Sequence, residues 1–408
     1  MSSANLVSVV YVPETVYGVP DTPLSGVTAE TTRFTSETLS GSPTTTESQN
    51  IRTDRMSSGQ VITGLEVGGD LNIELAAGKF YEDFIEAGMM STWTAAASLN
   101  TDVTLTPTDA VTATLTTVGD MSTIPIAVGD VLQLVPATGT PVTVTVISIT
   151  STTEAVVATT EGQAAISSVT MDVTLPAYVD IGANARSFTI AKSYLDVQHL
   201  LTTDDHSQTY PGSLVSGFSF SAAYGEIVTG SFSTMGNDYI QEPADSYEQQ
   251  IVAAGGTVNP AATTQSLNAS VDVPLLTADG TSATFCVENL TITLDNGLDP
   301  SNCIGEAAPQ GYTLGTAAVS VEMSIYLGDE SYDTFQPKKL TQEPISLTIN
   351  MQNADGGYSF AFAAVQLSFP DPASDGQNEQ TMLDASGTGK VGANGESALR
   401  VYKLVGEQ

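Results

Sequence analysis

Basic side chains are scarce in this sequence. The 408-residue chain has 11 Lys and Arg against 46 Asp and Glu, a formal net charge of −35 at pH 7. A protein that grips nucleic-acid phosphates needs clustered positive charge to displace counterions. Tight binding of DNA, RNA or an anionic membrane surface is therefore excluded. Only 14% of residues are charged while 41% are hydrophobic, so the acidity reflects missing Lys and Arg rather than acidic tracts, in a composition that folds. Cysteine is limited to Cys286 and Cys303. A single staple cannot carry a chain of this length, and two buried thiols are favoured over a disulfide. No apolar run approaches the roughly 18 to 20 residues that span a bilayer. The first apolar stretch, Leu6 to Val12, has no basic residue ahead of it, so neither a signal peptide nor an anchor is expected and cytoplasmic synthesis is the default.

The means of catalysis are also thin. His199 and His206 are the two histidines, and Asp204-Asp205-His206 is the one compact cluster of potential ligands. Three adjacent residues on an extended segment cannot all point at one metal, so a polar loop is the better reading. Asp371 to Glu379 is oxygen-rich, but it contains Pro372 and lacks the ligand alternation of a calcium loop. Gly387-Thr-Gly389-Lys390 resembles the end of a phosphate loop, yet Asp384 stands where the leading glycine belongs and Val391 replaces the hydroxyl. No serine occupies a nucleophile elbow. Trp93, the single tryptophan, is read as a core residue. No enzymatic activity, metal or other cofactor is expected.

What the chain has in quantity is Thr, Val, Ser and Gly in alternating segments. Leu71-x-Ile73-x-Leu75, Val142-x-Val144-x-Val146, Phe218-x-Phe220, Val321-x-Met323-x-Ile325-x-Leu327 and Ile345-x-Leu347-x-Ile349 all repeat with period two. That is the pattern of half-buried antiparallel strands. Helical periodicity is best from Lys79 to Met90, where Phe80, Phe84, Ala87 and Gly88 share a face. The fold is predicted to be mainly β with short helices.

An internal repeat organises the elements. In the first half the strand through Leu75 runs past Gly78 into Tyr81-x-x-Phe84; in the second, the strand through Leu327 runs past Gly328 into Tyr332-x-x-Phe335. The offset is 252 at the strand and 251 at the aromatic pair. Downstream, Ser187 to Ile190, Tyr210 and Val215 to Phe220 parallel Ile345 to Ile349, Tyr358 and Val365 to Phe369. Residues 94–183 fit neither half and read as a small β-barrel or β-sandwich inserted into an exposed loop. The expected division is a first repeat over 1–93 and 184–268, the insert over 94–183 on the outside, and a second repeat over 269–408.

Several motifs in order carry a resemblance. Glu14-Thr-Val-Tyr-Gly18, Phe34-Thr-Ser-Glu37, Glu47 through Arg55, Val67 to Leu75 and Tyr81-x-x-Phe84 through Trp93 are followed by Tyr210, Val215 to Phe220, Gly225 to Gly236, Leu294 to Leu298 and Ile304-Gly305. Together they resemble the tail tube, or major tail, proteins of long non-contractile phages. The resemblance implies two tandem β-sandwich folds with flanking helices, whose sheets join side by side into a ring around an inner barrel, and rings that stack helically into a tube. A duplicated fold implies a ring of three chains with pseudo-sixfold symmetry. It implies as partners further copies of the chain and the tape-measure, tail-tip and tail-terminator proteins, with DNA passing through unbound, no membrane contact, and a place in the virion tail. The insert and the acidity are departures that the fold does not require.

Two sets of residues follow as candidates. The polar loop Ser40 to Ser58 holds Glu47, Arg52, Asp54 and Arg55 and is expected to be a ring-stacking arm, or else a solvated hairpin tip. Asp70, Asn72 and Glu74 alternate with the apolar face of their strand, as do Glu322, Ser324 and Tyr326 in the second repeat; all six are candidates to face a lumen. An acidic lining repels phosphate over roughly 8 to 10 Å at physiological salt. A high-salt habitat would equally explain the acidity. A tube subunit of a contractile injection or secretion machine and a β-rich surface adhesin are the alternatives; the first usually lacks a duplication, and the second would carry a secretion signal.

Overall fold

Alternating segments become strands wherever one face can be buried. The computed structural model describes residues 6–407 except 23, 52, 55, 57–58, 161–162, 199–204, 243–244, 274, 279–280, 283–285 and 373–379. It is mainly β, with three α-helices among the described residues: α1 (Lys79–Gly88), α2 (Tyr247–Ala253) and α3 (Asp329–Thr341).

The strands order into two stacked layers. The inner layer is a continuous run of eight: Ser40–Glu47, Gln60–Glu74, Thr229–Met235, residues 217–223, Val287–Asp295, Ala318–Tyr326, Met382–Lys390 and residues 364–368, each antiparallel to the next. The first four belong to the first half of the chain and the last four to the second, in the same order. The outer layer has two corresponding parts. One pairs Val7–Pro13 with Ser187–Gln198 and residues 205–214; the other pairs Leu275–Ala278 with Ile345–Asn353 and residues 356–365. The strands Asp205–Ala223 and Gly356–Ser368 are long because each crosses from the outer layer to the inner one.

Between the layers lies the core. Leu71 and Ile73, Phe218 and Phe220, Ile292 and Leu294, and Val321 and Met323 point into it from the inner sheet, all buried. Helix α1 wedges into the first half. Its Phe84 stacks on Phe188 at 5.0 Å and meets Tyr11 and Phe232 edge-on at 5.1 and 5.4 Å, so one side chain ties outer strand, helix and inner strand together. Beneath it Asp83 accepts bonds from Lys79 Nζ (2.7 Å) and Tyr11 Oη (2.9 Å), and Arg186 pairs with Glu86. Trp93 packs against this core and donates its indole N–H to the Glu82 carbonyl at 3.2 Å.

A closed six-stranded barrel interrupts the first half. Its strands, in order around the wall, are Glu154–Ala158, Thr112–Thr117, Ala97–Pro107, Ile166–Leu175, Val131–Val135 and Val142–Ser151. Buried Val103, Leu105, Leu115, Leu134, Val144, Val157 and Val173 fill it. A backbone bridge between Thr94 and Tyr178 closes its stalk. Although its chain leaves the first half, the barrel docks on the last strand of the second, Arg400–Val405, whose Tyr402 and Leu404 complete its core. Buried Gln133 accepts from Val405 N (2.8 Å) and donates to Val405 O (3.2 Å), standing in for a paired strand. Arg400 holds Asp180 with two bonds (2.7 and 2.9 Å) and Asp130 with a third (3.0 Å), and lies 4.2 Å from the Tyr178 ring centroid. Burial opposes its charge, but the bonds to Asp180 and Tyr402 outweigh that and raise the guanidinium pKa above its usual value.

Four expectations change. Cys286 and Cys303 are free but exposed, because Cys286 directly precedes the strand Val287–Asp295 and Cys303 lies in a loop, neither on a core-facing position. The segment Ser40 to Ser58 is not a loop throughout: Ser40–Glu47 is a strand, held by its ladder to Gln60–Gly68 despite having no apolar face. Helix α2 was not expected, although Ser246 and Gln249 form a reciprocal cap that the spacing Ser-x-x-Gln announces. Helix α1 ends at Gly88, two residues early, and Met90 takes a positive φ of 51°. Asp204 and most of Asp371 to Glu379 lie outside the described residues; Asp205 and His206 open a strand, and Gly387 to Lys390 lie within one.

Candidate functional site: the polar sheet face and the hairpin arm

The inner sheet has one apolar and one hydrophilic face. Its register lines up side chains in rows across the strands. One row reads Ser36, Asn72, Ser231, Ser219, Thr293, Ser320, Thr388 and Gln366, and carries no charge. Another reads Glu74, Thr229, Ser221, Thr291, Glu322, Ser386 and Ser368. Neighbours in these rows are bonded: Ser219 and Ser231 lie 3.1 Å apart, and Thr291 Oγ1 is 3.2 Å from Ser221 Oγ. Carboxylates are sparse and are served by hydroxyls. Ser233 Oγ donates to Asp70 at 2.7 Å, Ser324 Oγ to Asp384 at 2.6 Å, and Tyr326 Oη to Glu288 at 3.3 Å.

All six residues singled out on the strands Gln60–Glu74 and Ala318–Tyr326 therefore share one surface. Glu74 differs from the rest in that Ser266 Oγ donates to it at 2.8 Å and Arg33 lies 3.7 Å away. The strand pattern did not reveal the Ser and Thr of the intervening strands, which supply most of the face. Their signal was the hydroxyl-rich alternation in Ser219-x-Ser221 and Thr291-x-Thr293.

A two-stranded arm projects from one end of this sheet. It consists of Ser40–Glu47 and the first half of Gln60–Glu74, exposed on both sides. Val61 and Ile62 are 63% and 62% exposed, Met56 69% and Ile51 fully. Asp54 accepts the Met56 N–H at 3.2 Å in the turn, and Glu47 ends its strand; Arg52 and Arg55 lie outside the described residues. At the arm's root Leu65 N donates to Ala307 O at 2.7 Å. Gly68 and Gly69, both at φ 150°, allow the close approach of neighbouring strands there, since a Cβ at Gly69 would fall 2.5 Å from the Thr38 carbonyl.

Both ends of the inner sheet are open. The outer edge of residues 40–46 and that of residues 366–368 pair with no strand among the described residues. No cluster of three or more His, Cys, Asp or Glu suited to a metal occurs among the described residues, and no helix there is long and apolar enough to cross a membrane.

Duplicated β-layers, a polar sheet face and sheet edges unpaired among the described residues define a mainly β structural protein with strand edges open to pairing. A family profile described as phage tail tube protein matches residues 4–389, nearly the whole chain, and the chain belongs to that family. No curated protein matches it.

Proposed function

We propose that three copies close into a ring, that the rings stack head to tail, and that the polar face of the inner sheet lines a conduit for ejected double-stranded DNA in the tail of a non-contractile phage. The observation that carries this reading is the junction inside the chain. Residues 217–223, the last strand of the first half, pair with Val287–Asp295, the first strand of the second. The open edges at 366–368 and 40–46 are the corresponding strands at the other ends of the two halves. Pairing them between chains repeats the internal junction and removes both exposed edges.

The register supports a bore of useful size. With Leu71 equivalent to Met323, the row from Glu74 reaches Glu322, the counterpart of Asp70, a stagger of four residues over four strand steps. One residue per strand corresponds to a tilt of about 36°. Three chains with eight inner strands each then form a barrel roughly 45 Å across at the backbone, wide enough for a duplex. Asp70, Asn72, Glu322, Ser324 and Tyr326 line that bore, with Glu74 at its rim. A hydroxyl surface holding water, with scattered carboxylates, offers phosphates neither cation nor apolar grip.

The arm with Glu47, Arg52, Asp54 and Arg55 reaches the next ring, where its exposed Val61 and Ile62 are covered. Two bases in four residues suit a neighbour as acidic as this one. The barrel of residues 94–183 decorates the exterior. Tape-measure, tail-tip and terminator proteins are the expected partners in the virion, with assembly in the host cytoplasm. Light scattering with negative-stain microscopy of purified protein tests the reading. Rings of about 127 kDa, three times 42.3 kDa, are expected; rings of twice that mass would overturn the threefold closure, and persistent monomers with added tail-tip protein would overturn the tube.

A further inference from the structure

Helix α3 presents apolar side chains that its counterpart α1 buries. At the offset of 251, Tyr332 corresponds to Tyr81 and Leu340 to Met89. Tyr81 and Met89 are fully buried, whereas Tyr332 is 51% and Leu340 91% exposed. Part of what covers α1 comes from the other half of the chain. Tyr358 Oη donates to the Gly78 carbonyl at the start of α1 (3.4 Å), Lys403 pairs with Glu82 (2.7 Å), and Asn296 Nδ2 donates to the Gly88 carbonyl at its end (2.8 Å). All three are second-half residues. In this way α1 of the first half seats against the strands Gly356–Ser368 and Arg400–Val405 of the second.

The first half has the matching edge, which carries no helix of the α1 kind among the described residues; Tyr210 there is buried and donates to the Leu39 carbonyl of its own chain (3.3 Å), and α2 lies beside it, with Gln250 bonded to Glu242 (2.8 Å). Tyr210 is the counterpart of Tyr358, and the short strand Ile240–Gln241 pairs with residues 208–209 as Arg400–Val405 pairs with 356–361. Tyr239 then corresponds to Lys403. Ile240 and Gln241 are exposed. Within one chain α3 and this edge belong to opposite ends of the inner sheet, whose terminal strands are residues 366–368 and 40–46.

We infer that the α3 face bearing Tyr332 and Leu340 docks on the Tyr239–Gln241 edge of a second copy of this chain, forming the outer layer of the contact between subunits. The inference rests on the ring reading above and assigns it residues. Continuity with the internal junction fixes the occupant as another copy, and the exposed apolar pair gives the reason to dock. Only the internal junction carries the barrel and its stalk strand Ala177–Asp180, so the two kinds of junction alternate around the ring, and those between copies are the lighter ones.

Two experiments test it, both on the full chain. In a C286S/C303S background, Asp333→Cys with Tyr239→Cys reproduces the Glu82 and Lys403 pair that lies 2.7 Å apart within the chain. Because two long side chains that meet tip to tip hold their Cβ atoms farther apart than a disulfide allows, a bismaleimide reaching about 8 Å is added to assembled protein, and each thiol S–H adds across one maleimide double bond. The expected result is cross-linked dimers and trimers on a denaturing gel, none with either cysteine alone. Separately, Tyr332→Asp with Leu340→Asp should raise the concentration needed for ring formation by about tenfold or more while the monomer melts like the parent, and Leu340→Met should assemble normally. If the parent assembles but no cross-link forms, or the aspartate variant assembles equally well, this contact is overturned and the ring stands. A parent that never assembles overturns both.

Discussion

Seven basic residues, Arg33, Lys79, Arg186, Lys192, Lys339, Arg400 and Lys403, form ion pairs with carboxylates of the same chain. Basic charge in this protein thus serves internal joints, and Arg400 is the one with most to lose. Arg400→Met removes three bonds and the guanidinium that lies over the Tyr178 ring. Asp130 would retain Tyr402 Oη and the Ala127 N–H, so the expected loss is about 2 kcal/mol, below that of a stranded buried charge. Urea unfolding checks it, and an unchanged midpoint would contradict the role assigned to Arg400. Tyrosines give a second prediction. Burial raises the pKa of Tyr11, Tyr210, Tyr358 and Tyr402, and pushes Tyr81 and Tyr247 up to about 12. A phenol whose pKa is raised by folding stabilises the fold fully below its unfolded value of about 10, and that contribution disappears as pH climbs through the folded value. Alkaline unfolding between about pH 10 and 12 should therefore coincide with the last part of the rise in tyrosinate absorbance, that of the buried tyrosines. The full tyrosinate absorbance of all 14 tyrosines appearing near about pH 10 with the β signal intact would contradict this. At this scale the sequence was a partial guide: alternation identified Asp70 and Glu322 as the polar side of their strands, but nothing local told Cys286 from a core thiol.

Elements were legible where burial imposes a period. The strand Gln60–Glu74, helix α1 and the strand Ala318–Tyr326 stand where alternation and the aromatic spacing put them. The arm strand Ser40–Glu47 was not, since neither of its faces is buried and a Ser, Thr and Pro-rich segment has no apolar period to read. Nor could local pattern reveal that the barrel leans on Arg400–Val405, a contact across more than 250 residues that depends on buried Gln133 and Asp130. The arm supplies the prediction for this scale. Replacing residues 44–63 by a two-residue turn removes exposed backbone and no core, so the monomer should melt within about 1 kcal/mol of the parent. Rings should form and fail to stack, as microscopy would show; full-length tubes from that variant would contradict the arm's role.

Net charge and symmetry belong to the whole molecule. Each chain brings −35 to any assembly, so self-assembly works against mutual repulsion. Raising salt to about 0.5 M, where the Debye length shrinks to a few ångströms, should speed assembly, the opposite of what a contact driven by ion pairs would do. Slower assembly at high salt, followed by light scattering, would contradict that balance. Everything else rests on the inner sheet closing across chains as it closes across the internal repeat. Cryo-electron microscopy of assembled tubes tests this most directly. The account predicts three chains per ring, 24 inner strands tilted by about 36°, residues 366–368 paired with residues 40–46 of the next chain, and Asp70 and Glu322 facing the bore. A ring of six chains, or a bore lined by any surface other than this polar face, would contradict it.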